Sequence, residues 1–407
     1  MNEFVINQDR VLVRYQGPGG SVRVPDGVTD ISSSAFPSEI RHNIAQLILP
    51  EGLETIRFRT FEGCGNLTQV WLPSTLKTIE HYTFAGCSRL ERIVFPDALE
   101  SIGEHAFESC QYLQFDALPA GLKSIGARAF ARCTSLTELV VPDSVEFLDD
   151  AAFSGCSSVK TVRLSDHLKQ INTWAFQNCS DLETVHLPSG ATAVKGAAFS
   201  GCGNLKNLDI PDGVEIIDRD TFSNCVSITT LVLPKGLKTI GRDAFAKSGI
   251  QSFSMDAEAL PALNFRSFPS GNAGVAARSG DGWRFYGFAS KTGSDNLSDT
   301  IHKGKYNIYD LELINNGPVY KYKAPARLLG SLGRIVDPVD LTDECRELHM
   351  EFLIKNAKKL IPLAEALRCP AIVEAMAEHG IINAKNKKAI AKLLEASAVE
   401  EIAAIRL

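Results

Sequence analysis

Residues 118–133 read LPAGLKSIGARAFARC, and the same skeleton returns every 23 residues on either side of them. Working outward from Cys133, cysteines stand at Cys64, Cys87, Cys110, Cys156, Cys179, Cys202 and Cys225, so eight of the ten cysteines keep one period without a slip. A phenylalanine column keeps it too, from Phe61 and Phe84 through to Phe222 and Phe245. Self-similarity at a fixed period is the mark of stacked structural repeats, in which each unit buries its apolar side only against its neighbours. Within one unit, Leu67, Val70 and Leu72 have the spacing of a short strand, and Pro73, which has no N–H to donate, stops the ladder after it. Ten such segments, from Ile44-Leu47-Leu49 to Ile250-Phe253-Met255, predict ten stacked strands. At roughly 4.7 to 4.9 Å apiece they would span about 45 Å.

The unit Leu-Pro-x-x-Leu-x-x-Ile-Gly-x-x-Ala-Phe-x-x-Cys, met in full by residues 118–133, resembles the BspA-like class of bacterial leucine-rich repeats, and the resemblance covers roughly residues 17–255. It implies a leucine-rich-repeat solenoid, a right-handed coil with a parallel-sheet horseshoe. It also implies an interaction protein, since members of the class include cell-surface proteins with host or bacterial ligands.

The expected fold class is α+β, a solenoid followed by a small all-α domain. Residues 1–24 alternate apolar and polar side chains and predict an N-terminal β cap. Residues 25–255 hold about ten repeats, the first of which, Pro25 to Pro50, lacks the cysteine as capping repeats often do. Residues 256–300 lose the period and read as a C-terminal cap and linker with one apolar knot at Trp283, Phe285, Tyr286 and Phe288. Residues 301–407 turn helical: Leu341, Cys345, Leu348 and Phe352 are spaced for one helix face. Pro362 and Pro370 suit first helical turns, Gly380 suits a stop, and Ser397 with Glu400 has capping-box spacing. Short helices of this kind are similar in architecture to ankyrin or HEAT stacks. One repeat departs from the pattern: LQFDALP (113–119) places Asp116 where the others are apolar, and a bulge turning Phe115 inward and Asp116 outward avoids burying a lone carboxylate.

With 42 basic and 48 acidic residues, a net charge of -6, the 407-residue chain has no overall pull toward nucleic acid or acidic lipid. The stretch MNEFVINQDRVLVRY is strand-like and unlike a signal peptide, and no run approaches the roughly 18 apolar residues of a membrane helix. A cytoplasmic protein with no membrane insertion is expected, the alternative being a cell-surface protein exported by another route. The oligomeric state is open, leaning to a monomer.

The thiol column has no CxxC pair and no histidine in register, so no metal site is expected. Neighbouring cysteines in a stack would lie about 5 Å apart at Cα, within the window for disulfides. Against bridging, side chains in register point the same way and Ser248 fills the slot in the last unit. A structural ladder of buried thiols is the reading adopted. Ser157 with Lys160 has the Ser-x-x-Lys spacing but falls at variable outward positions, and Gly17-Pro18-Gly19-Gly20 is a turn between strands without the helix a phosphate loop needs. No catalytic activity and no cofactor are expected. The functional signal lies in two outward columns of the strands, which in a solenoid line an extended concave face. One runs Ile48, Trp71, Val94, Ala117 and Val140, then turns polar at Arg163, His186 and Asp209; its companion includes Arg92. Apolar positions in successive repeats, with a Trp and neighbouring Arg, suit a protein partner.

Overall fold

The computed structural model describes residues 3–256, 272–279, 282–289, 324–336, 343–405 and 407. It is a parallel-sheet solenoid of about 11 turns followed by a helical region, and its contacts divide it into two units, residues 1–211 with 217–225, and residues 212–216 with 226–407.

In unit 1 each turn has three sides. The first carries strands of alternating burial, such as Glu138–Val140, in which Leu139 faces the core while its neighbours face out. These strands pair in parallel register at intervals of one repeat: Ile48 with Trp71, Val140 with Arg163, Arg163 with His186, His186 with Asp209. The second side carries two-residue strands, Thr55–Ile56, Thr78–Ile79, Ser101–Ile102, Ser124–Ile125 and Phe147–Leu148, paired the same way. The third side is a tight turn holding the Phe and Cys columns. Rings from Phe61 to Phe222 stack at centroid separations of 5.3 to 5.7 Å. Fully buried, each contributes about 1.5–3 kcal/mol by leaving water, and offset stacking adds about 0.5–1.5 kcal/mol per pair. The column runs on into the cap, from Phe61 to Phe36, Tyr15 and Phe4.

The eight ladder cysteines are all buried and free. Each thiol from Cys87 to Cys225 lies where it donates to the carbonyl of the Phe one turn back, for example Cys110 to Phe84 at 3.1 Å and Cys225 to Phe199 at 3.2 Å. The column therefore joins turns by weak hydrogen bonds. Burial pushes Cys179 and Cys225 up to about 12, and raises Cys87, Cys110, Cys133, Cys156 and Cys202 as well.

Both sheets are interrupted, at different turns, and the first-side sheet ends at Asn207–Asp209. On the first side, segment 113–118 makes an isolated bridge, Gln114 with Arg92, and forms no strand. Its pairing has slipped by one residue. Phe115 packs against Phe95 and Phe130, and Asp116 turns out to Arg92, whose guanidinium lies 2.8 and 3.1 Å from its carboxylate oxygens. The predicted run of ten strands is thereby cut at the Asp116 turn, because a strand there would bury the carboxylate. On the second side, Phe147–Leu148 ends one sheet and Gln170–Ile171 begins the next, paired to Ala193–Val194. Here the Leu148 carbonyl takes the side-chain amide of Asn172 at 2.9 Å, where the same carbonyl of neighbouring turns, Ile102 or Ile125, takes a backbone N–H.

In unit 2, Ser252–Asp256 pairs with Thr230–Val232 and with Asn272–Ser279, which returns antiparallel as Gly282–Ala289. The stretch read as cap and linker thus contains a hairpin added to the sheet; the side chains of its apolar knot lie outside the described residues. Ala276 on the hairpin shares a core with Leu328, Leu329 and Leu332 of the helix Ala324–Val336. Three helical expectations are corrected. Pro362 lies inside the helix Asp343–Ala366, where burial of Leu360, Ile361 and Ala364 outweighs the roughly 3 kcal/mol an interior proline costs. The buried face of that helix is set by His349, Leu353, Ala357 and Leu360, with Leu348 exposed; Leu341 and the side chain of Cys345 lie outside the described residues. Ser397 forms no capping box: its hydroxyl accepts from Val399, the residue that itself precedes the helix Glu400–Ala403. Pro370 directly precedes Ala371–Glu378, and Gly380, at φ +74°, follows its end.

Candidate functional site

The outward column on the first side of unit 1 is exposed as its alternation requires. Trp71, Val94 and Val140 are 46%, 71% and 54% accessible, and Ile48 is half-buried beside Trp71. Large apolar side chains in such positions leave apolar surface in water. The structure does not join them into one stripe. The slipped turn separates Ile48, Trp71 and Val94 from Val140, and only the small exposed Ala117 bridges the gap, beside the Arg92–Asp116 ion pair.

The polar half of the column follows in register. Arg163 is tied to Asp143 at 3.2 Å, and Asp143 is held below the usual carboxylate range by the backbone N–H of Asp166 and then by the Arg163 charge. His186 and Asp209 are exposed on the next two strands. The companion column is polar, with Gln46 donating to Gln69 at 3.4 Å. Two exposed apolar side chains, Trp71 and Val94, thus sit beside the Arg92 guanidinium, which Asp116 holds, an arrangement able to bury hydrophobic contact and one charged hydrogen bond. Among the described residues no group of three or more His, Cys, Asp or Glu side chains is placed to hold a metal, and no helix is long and apolar enough to cross a membrane.

Two features escaped the sequence. A recess of about 650 Å³ lies on the second side, over Thr78, Ser101 and Ser124, with Phe147 at its edge. Its only trace in the sequence is an aromatic at a position held by Thr, Ser or Gln in the other turns that line the recess. In unit 2, His349 is fully buried with Nδ1 3.1 Å from the Ser331 hydroxyl, also buried. No spacing rule could announce a pair 18 residues apart on two helices.

The BspA type leucine-rich repeat region matches the chain over residues 29–160 and 150–268, in six copies. Similar solved structures include a leucine-rich repeat protein from Bacteroides ovatus (22% identity, 63% of this chain and 87% of that one, TM-score 0.44). They also include the pneumococcal vaccine antigen PcpA (19% identity, 67% and 82%, TM-score 0.43) and a leucine-rich cell surface protein from Faecalibacterium prausnitzii (20% identity, 65% and 89%, TM-score 0.39). No curated protein matches the chain.

Proposed function

The chain belongs to the BspA-type leucine-rich repeat family, and from that premise we propose that it is a non-catalytic scaffold or adaptor that holds a protein partner on the first side of its solenoid. The observation that carries this reading is the exposure of Trp71 and Val94 in consecutive turns beside the anchored Arg92. The polar row Arg163, His186 and Asp209 supplies the outer part of the contact. In this reading no cofactor takes part. The free thiol column fits a reducing compartment, so the proposed place of action is the cytoplasm. Family membership favours a second reading, an exported adhesin or glycan-binding surface protein, and fractionation of the native cell separates the two.

Affinity capture from the native lysate and surface fraction, comparing the wild type with Trp71→Asp, Val94→Asp, tests the binding face. Both side chains point away from the core, so the double variant is expected to unfold within a few degrees of the wild type while its partner is lost. A partner retained equally by both proteins would reject this face.

A further inference from the structure

The recess on the second side of unit 1 is built differently from the face just described. Its floor is a row of small hydroxyl side chains, Thr78, Ser101 and Ser124, one per turn, with Ser101 3.2 Å from Thr78. Beyond them stands Phe147, 68% exposed, at the turn where the sheet stops, and the recess continues to Gln170 and Asn172. Around it stand four carboxylates, Glu80, Glu104, Glu146 and Asp149, against one ammonium, Lys169. Three of the carboxylates are already fixed through one oxygen. Glu80 accepts from the Phe58 N–H at 2.8 Å, Asp149 from the Asp150 N–H at 2.7 Å, and Glu104 lies 3.3 Å from His105 Nε2. The other oxygen of each accepts no hydrogen bond among the described residues, and the Arg57 charge also acts on Glu80. Carboxylates held this way are preorganised acceptors, and a ligand meeting them loses little side-chain entropy.

Shape and charge together select the occupant. The floor follows the stacking axis over five turns, from Thr78 to Gln170; at roughly 4.8 Å per turn this is about 20 Å, the length of an extended peptide of about six residues. The hydroxyls offer both donors and acceptors to a peptide backbone, the excess negative charge repels phosphate and favours ammonium and guanidinium groups, and Phe147, in the fourth of the five turns, offers an apolar face and a π surface. We propose that the recess binds an extended cationic peptide, whose lysine or arginine side chains meet Glu80, Glu104 and Asp149 and whose apolar side chain covers Phe147. This site is separate from the Trp71 face and does not depend on it.

Fluorescence anisotropy tests it with a labelled hexapeptide alternating lysine with leucine and its glutamate-for-lysine counterpart. The lysine peptide is expected to bind saturably and the glutamate peptide not at all. Phe147→Ser, at an exposed position, and Ser124→Trp, which plugs the floor, should each weaken binding by about tenfold or more, while Trp71→Asp leaves it unchanged. Thermal unfolding of each variant shows that it is folded. Absence of saturable binding to the wild type would overturn the proposal. So would affinity indifferent to Phe147→Ser, the sign of a diffuse acidic surface, or saturable binding of a neutral hexasaccharide in place of the lysine peptide.

Discussion

Each ladder cysteine is a small apolar side chain with a weak donor, and the column uses both properties: the sulfur fills the turn and the S–H reaches the Phe carbonyl behind it. Burial has a consequence for pH. A thiol whose folded pKa lies above its unfolded value of about 8.5 lends stability that is fully present below that value and is lost as pH rises toward the folded pKa. Seven ladder thiols are raised in this way. Once the unfolded thiols ionise, stability should fall by about 1.4 kcal/mol per pH unit for each, roughly 10 kcal/mol per unit for the set. Urea titrations between pH 7.5 and 10.5 measure the slope, to which buried Cys369 also contributes, and Cys133→Ala with Cys156→Ala should flatten it by about a quarter; a slope indifferent to those substitutions would rule out the column as its source. The column itself was plain in the sequence because its spacing never varies. Other residue-level features were hidden. Arg59, Tyr82, His105, Arg128 and Trp174 all adopt left-handed backbone, φ +53° to +58°, without a glycine among them. Propensity argues against that conformation. Bonds between turns, such as Tyr82 N–H to Glu104 and His105 N–H to Ala127, both 2.8 Å, impose it.

At the scale of the element, the interruption on the second side is repaired by a single side chain. Asn172 lends its amide to the Leu148 carbonyl where the ladder lapses. Asn172→Ala should lower stability by about 1 kcal/mol, the net worth of one such bond, and Asn172→Asp by more, since a carboxylate would face the carbonyl; denaturant midpoints at constant m-value report both. Midpoints unmoved by either change would show that Leu148 is satisfied otherwise. Asp116 betrayed its own turn in the sequence, being a charge in an apolar column, whereas the lapse at Leu148 follows an ordinary strand pattern and left no mark but Asn172. The helical phase misled for a related reason. Leu348 looked like a core residue and His349 did not, yet the Ser331 hydroxyl lets the imidazole go inside, rotating the buried face by one position. The candidate columns were legible by alternation alone, but their division by the Arg92–Asp116 pair was not, because the slip is a property of three neighbouring turns together.

At the scale of the molecule, repeats that touch only their neighbours make length adjustable. Deleting residues 157–179 removes one period and leaves Cys156 followed by Ser180, with the spacing to Leu182 and Phe199 restored. The shortened protein should fold as one cooperative solenoid with an m-value lower by about a tenth, whereas deleting 158–179, one residue fewer, shifts every side chain to the wrong face. Size-exclusion chromatography and circular dichroism distinguish the two; equal behaviour would deny that register governs the stack. The period makes this architecture readable from a string of letters, while the recess over Ser124 requires the turns to be stacked before its walls exist. Before the first-side sheet ends at Asp209, the breaks in the two sheets fall in different turns, one at Asp116 and the other between Leu148 and Gln170. A mason staggers joints so that no crack runs straight through a wall. Here, too, a tear begun at either of these joints in unit 1 meets an unbroken course on the other side, so a pull there is shared by the neighbouring turns before the joint gives.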